Sequence, residues 1–222
     1  MKKIGVVGLG NMGMGIAKNL IKNEFDTTGF DLRDSCLKEL KDSGGNVASS
    51  VEDIGKICDV VFIMVMNGNQ VNDVVIKLSP GLKGDGTIIV TATITPEEIR
   101  SAYKIAKKNN IKMIDSPVSG GLQGAHEGTL TLMSAADKNV FNNCKDILKS
   151  ISKDIFHVGK NIGDGQMVKA SLQVFIGATF TAIFESLVLG SKAGIDGKTL
   201  YDVFSSSGVS SPLFKNCAKL IM

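Results

Sequence analysis

Lys169 and Gln173 stand four residues apart in the stretch Gly163-Asp164-Gly165-Gln166-Met167-Val168-Lys169-Ala170-Ser171-Leu172-Gln173. On a helix that spacing puts both side chains on one face. An amine set among apolar neighbours loses water, and the loss lowers its pKa into a range useful for proton transfer. Gln173 can hydrogen-bond the same ligand. The plainer alternative is a lysine at a helix start that snorkels to solvent. On spacing alone the snorkelling lysine is the favoured reading.

A second set of residues could hold phosphate. Gly8-Leu9-Gly10-Asn11-Met12-Gly13 follows the apolar run Lys3–Val7 and opens a segment of helical periodicity, Asn11–Asn23. Gly8 permits a tight turn, Gly10 a close approach of backbone to pyrophosphate, and Gly13 close packing of helix on strand. The helix start adds amide donors and positive potential. Asp31 ends the next strand pattern, Thr27–Asp31, where a carboxylate accepts from ribose hydroxyls. It would also repel a 2′-phosphate, which favours NAD over NADP; Arg33, two residues on, is the counter-argument. A third set is Asp115-Ser116-Pro117-Val118-Ser119-Gly120-Gly121, at the carboxyl end of a strand pattern. Ser119 offers a hydroxyl, and Gly120 and Gly121 let amides face an anion such as a carboxylate. A structural turn explains the same residues equally well.

The elements needed to position these groups alternate along the chain. Apolar runs at Asp59–Val65, Thr87–Thr91 and Lys112–Asp115 read as parallel strands covered on both faces. A helix pattern at Asp34–Asp42 precedes them, and another, opening with Pro96, separates the last two. Further strand patterns, Thr129–Ser134 and Asp154–Val158, flank a helix at Lys138–Ser150. The alternation predicts an α/β fold built on a Rossmann-type doubly wound sheet. From Gly163 to about Ala193 one long helix of about 45 Å is expected, apolar around much of its circumference. Two more helix patterns follow, at Lys198–Ser205 and from Ser211-Pro212. The division is therefore a dinucleotide-binding domain at 1–162, then a long interdomain helix and an incomplete all-α domain at 163–222. A helix so apolar needs a cover, and a second copy of the chain is the expected one.

Composition removes several classes. The chain has 222 residues, 43% hydrophobic and 21% charged, with net charge +3. The lysines are scattered, and no basic block marks a nucleic-acid footprint. Cys36, Cys58, Cys144 and Cys217 form no metal-ligand spacing, and His126 and His157 are the only histidines, so no metal site is expected. Reduced thiols fit a cytoplasmic protein. The start, Lys2-Lys3-Ile4-Gly5-Val6-Val7, reads as a strand and not a secretory signal. Ala170–Phe184 lacks charge but is shorter than the roughly 20 residues that span a bilayer, so no membrane is expected as partner.

The three motifs together resemble one family, the β-hydroxyacid dehydrogenases. GLGNMGMGIAKNL is similar to the family's cofactor fingerprint, DSPVSGGLQGAHEGTLTLM to its substrate-binding segment, and GDGQMVKASLQ to its catalytic helix. The resemblance runs over essentially the whole chain. It implies an NAD-dependent oxidoreductase acting on a small hydroxy acid. It places the catalytic lysine at Lys169, substrate contacts at Ser119, Gly120, Gly121 and Gln173, and a cofactor-contacting threonine at Thr93. Val65 and Met66 fall on the cofactor-side segment after the fourth strand. Three features resemble the L-threonate dehydrogenase branch: Met12–Gly15, Val65-Met66-Asn67, and Gln173 where Asn is common. An imine reductase would replace the lysine. The resemblance also implies a homodimer or homotetramer, and a chain shorter than its relatives. A dinucleotide-binding module without turnover is the rival expectation.

Overall fold

A computed structural model describes residues 2–221; Met1 and Met222 lie outside the described residues. The chain divides into two compact units, Met1–Lys169 and Ala170–Met222.

The first unit opens with β1 (Lys3–Val7), α1 (Asn11–Lys22), β2 (Asp26–Phe30), α2 (Asp34–Asp42), β3 (Asn46–Val47) and α3 (Val51–Ile57). It continues through β4 (Val60–Ile63), α4 (Gly68–Leu78), β5 (Thr87–Val90), α5 (Pro96–Lys108) and β6 (Lys112–Asp115). It closes with β7 (Val118–Ser119), α6 (Gly121–Glu127), β8 (Leu130–Ala135), α7 (Lys138–Lys149) and β9 (Ser152–Gly159). The nine strands form one sheet in the order β3-β2-β1-β4-β5-β6-β8-β7, with β9 paired to β8.

Strands β1 to β6 are all parallel. Their side chains alternate between two apolar layers, as a period of two requires. Ile4, Val6, Phe62, Ile89 and Ile114 meet Ile16, Leu20 and Leu148 on one face. Val7, Val61, Ile63, Ile88 and Val90 meet Ile54, Val75, Leu78 and Ile99 on the other. The doubly wound expectation therefore holds for this half of the sheet. The far edge departs from it, because β8 runs antiparallel to both β6 and β7. β7 and α6 follow directly on Ser116-Pro117, in a stretch that the sequence allowed to be a turn.

Strand order reverses between β1 and β4, which lie side by side although α1 to α3 separate them in sequence. At such a reversal the helices that follow the two strands leave on opposite faces, and a crevice opens at the carboxyl ends. Gly8 and Met64 begin the segments that line it.

A 29-residue helix, α8 (Asp164–Lys192), begins in the first unit and continues into the second, followed by α9 (Gly197–Ser206) and α10 (Pro212–Ile221). In the second unit Ile183, Leu187, Leu200, Phe214 and Ala218 make a small apolar core, with Tyr201 stacked on Phe214 and Phe204 tilted against it. By length and composition α8 could cross a membrane, and 11% of its most apolar window is buried. The sequence expectation judged the uncharged stretch too short, because it stopped at Glu185 and did not count the helix on either side.

Candidate functional site

The crevice at the β1–β4 reversal is a cavity of about 720 Å³. Gly8, Gly10, Asn11, Met12 and Gly13 line one side, Asp31 and Arg33 a second, and Val65 and Met66 a third. The two glycines that shape it leave no alternative. Gly8 has φ +91° and lies so close to the Met64 carbonyl that a Cβ would overlap it. A Cβ on Gly13 would fall inside the Gly8 carbonyl. The loop is thus folded onto the start of α1 at van der Waals contact.

Gly10 caps α1 without any side-chain bond, and no acidic residue occupies the first turn. The amides at that terminus are left for an anion, and the helix dipole favours one. A dinucleotide pyrophosphate fits this cradle. The neighbouring α3, α4 and α5 each carry a side-chain cap instead.

Asp31 stands at the end of β2 beside the cradle. Its Oδ2 accepts from the Leu9 amide at 2.7 Å, and Arg33 binds the carboxylate through Nε at 2.9 Å and Nη2 at 3.1 Å. Burial pushes the carboxyl up, but the bonds from Arg33 and Leu9 outweigh it and leave the pKa below the ordinary carboxylate value. The group is therefore an anion at neutral pH, held at the mouth of the cavity. Arg33 is tied to Asp31 in this geometry, so the guanidinium read as the argument for a 2′-phosphate is engaged elsewhere.

Two expected cofactor residues sit differently from the rest. Leu9 contributes its amide to Asp31, while its side chain is in the apolar layer beneath. Thr93 is exposed on the loop after β5 and does not line the cavity. Gln70, Asp73 and Lys77 from α4 do line it and were missed by sequence reading. Gln70 accepts from the Met66 amide at 2.8 Å, which fixes the segment after β4. No motif marks α4, and only the fold brings it to the crevice.

Ser119 lies half-buried in β7, paired with Thr131 of β8. Gly120 and Gly121 follow at φ +124° and +61°, values that L side chains rarely adopt, and both are exposed. The turn that a Ser-Gly-Gly sequence permits is present at the start of α6.

Lys169 is 8% exposed, the one lysine among the buried described residues. Burial lowers its pKa below the ordinary lysine value. The expectation of a desolvated amine is therefore met. Gln173 follows one turn later, in the second unit, and is exposed.

The strand end that leads into the substrate motif is bonded to the start of α8. Asp115 is fully buried and accepts from the amides of Gly163 at 2.9 Å and Gln166 at 3.2 Å, and from the Gln166 side chain at 3.0 Å. Burial pushes its carboxyl up to about 6 against the pull of these donors. Among the described residues no cluster of His, Cys, Asp and Glu could hold a metal ion.

Known proteins resemble this chain along its length. A family model described as the NAD binding domain of 6-phosphogluconate dehydrogenase matches residues 3–159. One described as the NAD-binding of NADP-dependent 3-hydroxyisobutyrate dehydrogenase matches residues 163–222. The chain is 31% identical to an L-threonate dehydrogenase of Cupriavidus necator, over 97% of this chain and 73% of that one. It is 33% identical to a 2-(hydroxymethyl)glutarate dehydrogenase of Eubacterium barkeri, over 99% and 74%. Among solved structures, a 3-hydroxyisobutyrate dehydrogenase from Salmonella typhimurium superposes with a TM-score of 0.89 at 28% identity, covering 100% of this chain and 78% of that one.

Proposed function

We propose, since this chain belongs to the β-hydroxyacid dehydrogenase family, that it transfers a hydride between NAD and a small hydroxy acid of the L-threonate or 3-hydroxyisobutyrate type. The observation that carries the proposal is the pairing of a glycine cradle that fits a pyrophosphate with a buried lysine at the start of α8. Bound NAD would supply the hydride acceptor for the carbinol carbon.

The chain's own residues supply binding and the proton. Gly8 to Gly13 hold the pyrophosphate, and Asp31 takes the ribose hydroxyls. Val65, Met66 and Thr93 would contact the cofactor. Ser119 and the amides of Gly120 and Gly121 take the substrate carboxylate, and Gln173 orients the substrate. Lys169 Nζ receives the hydroxyl proton in oxidation and returns it in reduction. Asp31 selects NAD over NADP, because its anionic carboxylate would face the 2′-phosphate. Turnover of L-threonate, 3-hydroxyisobutyrate, glycerate and 4-hydroxybutyrate, each with NAD and with NADP, tests the reading. At least one acid is turned over, with NAD preferred; no turnover of any would leave a cofactor-binding module.

The same reading makes the protein soluble, cytoplasmic and oligomeric. Val174, Phe175, Val188 and Leu189 of α8 are each at least half exposed. Covering one such side chain is worth about 1.5–3 kcal/mol, so a second copy laid on this helix stabilises both. Light scattering at micromolar concentration shows a dimer or tetramer on this account; a stable monomer would refute it.

A further inference from the structure

We infer that Gln166 is a positioning residue whose side-chain amide holds the Thr93 loop and the end of β6 in register with the helix turn that carries Lys169. The inference rests on the roles of Lys169 and Thr93 given above.

Gln166 is 1% exposed, and an amide is kept that deep only where its polar atoms are used. Its Oε1 accepts from the Ile94 amide at 3.1 Å. Its Nε2 donates to the Ala92 carbonyl at 3.0 Å and to Asp115 Oδ1 at 3.0 Å. Ala92 and Ile94 flank Thr93, so the side chain grips the loop on both sides of that residue. Asp115 ends β6 and leads into the segment that reaches Ser119. The Gln166 backbone amide meets the same carboxylate, and Lys169 follows three residues later, about one turn along α8.

One side chain thus ties together segments separated by more than seventy residues. A glutamine amide has two donors and one carbonyl oxygen, and both donors are used here. Glutamate would present a carboxylate to Asp115, asparagine would fall one methylene short, and methionine would leave all three partners unmet. The turn has no room to shift as compensation. A Cβ on Gly165 would come within 2.8 Å of the Asp115 carbonyl, so backbone already touches backbone there.

Hydride and proton transfer need the cofactor, the substrate and Lys169 placed together, and a misplacement of about 1 Å can cost roughly 10²-fold in rate. Gln166 controls that placement without touching the reacting atoms.

The test compares wild type, Gln166→Met and Gln166→Glu by hydrogen exchange and by kinetics. In Gln166→Met, exchange rises in residues 92–95 and 163–169 but not in β1 or β4. Its kcat falls by about 10²-fold with little change in KM for NAD. The pH limb set by Lys169 moves up toward the ordinary lysine value as water reaches the loosened turn. Gln166→Glu keeps the volume and, when protonated, one donor. Its rate relative to wild type falls as pH rises and the new carboxyl ionises beside Asp115. Unchanged exchange in both segments would overturn the proposal whatever the activity. Raised exchange with kcat and the pH limb unmoved would reduce Gln166 to a structural role and overturn it equally. Wild type inactive on every hydroxy acid would count against the dehydrogenase reading alone, and the exchange data would still decide whether the amide holds the loop.

Discussion

Lys169→Ala loses roughly 10²–10⁴-fold in turnover, the range set by removing a general acid or base, while NADH binding stays near wild type. The asymmetry follows from the geometry. Lys169 does not line the glycine cavity proposed for the cofactor. Its amine is buried, and burial alone lowers its pKa from the ordinary value of 10.5. The pH profile carries the sign. On the proposed mechanism the neutral amine is the base in oxidation, so kcat/KM rises with pH and levels off above a pKa lower than 10.5. In reduction the ammonium is the acid, so the rate falls through the same pKa. The alanine variant lacks both limbs. Wild-type turnover in that variant would remove Lys169 from the mechanism.

Asp115→Ala has the largest expected effect on stability. Two backbone amides and the Gln166 side chain donate to a carboxylate that is wholly buried. Each buried donor left without an acceptor costs about 1–3 kcal/mol, and these three point into a space that alanine leaves apolar. A loss of about 3–5 kcal/mol is expected, a large share of the stability of an ordinary domain. Urea unfolding measures it as a lower midpoint at an unchanged slope. A change under about 1 kcal/mol, within the range of an ordinary surface substitution or a single weak contact, would show that the start of α8 is held by other contacts. Because Asp115 joins the substrate segment to that helix turn, the variant should also lose activity under conditions in which it remains folded.

Much of this was legible in the residues. The strands β1, β4, β5 and β6 are short apolar runs because both faces of the sheet are covered, and such runs stand out from any local alternative. The glycine loop was legible because a strand precedes it, a helix follows, and Asp31 ends the next strand. Lys169 was visible as a cation in an apolar stretch, although spacing alone favoured a snorkelling amine over a buried one; its burial settles that point.

What the residues concealed depends on contacts distant in sequence. β7 is two residues long and exists only because β8 pairs with it. Leu9 belongs to a motif read for its backbone, and only packing shows its side chain to be core. Gln70 and Lys77 reach the cavity through the placement of α4, which carries no motif. Gln166 gave no signal at all, since Ala92, Ile94 and Asp115 gather around it only after the sheet has formed.

The central claim is hydride transfer from a hydroxy acid to NAD, and label transfer tests it most directly. Purified wild-type protein is incubated with NAD and L-threonate or 3-hydroxyisobutyrate carrying deuterium at the carbon that is oxidised. The account predicts deuterium in the NADH formed, with none when solvent alone is labelled. NADH that carries solvent deuterium instead, or bound NAD that acquires no hydride from any of these acids, would contradict it.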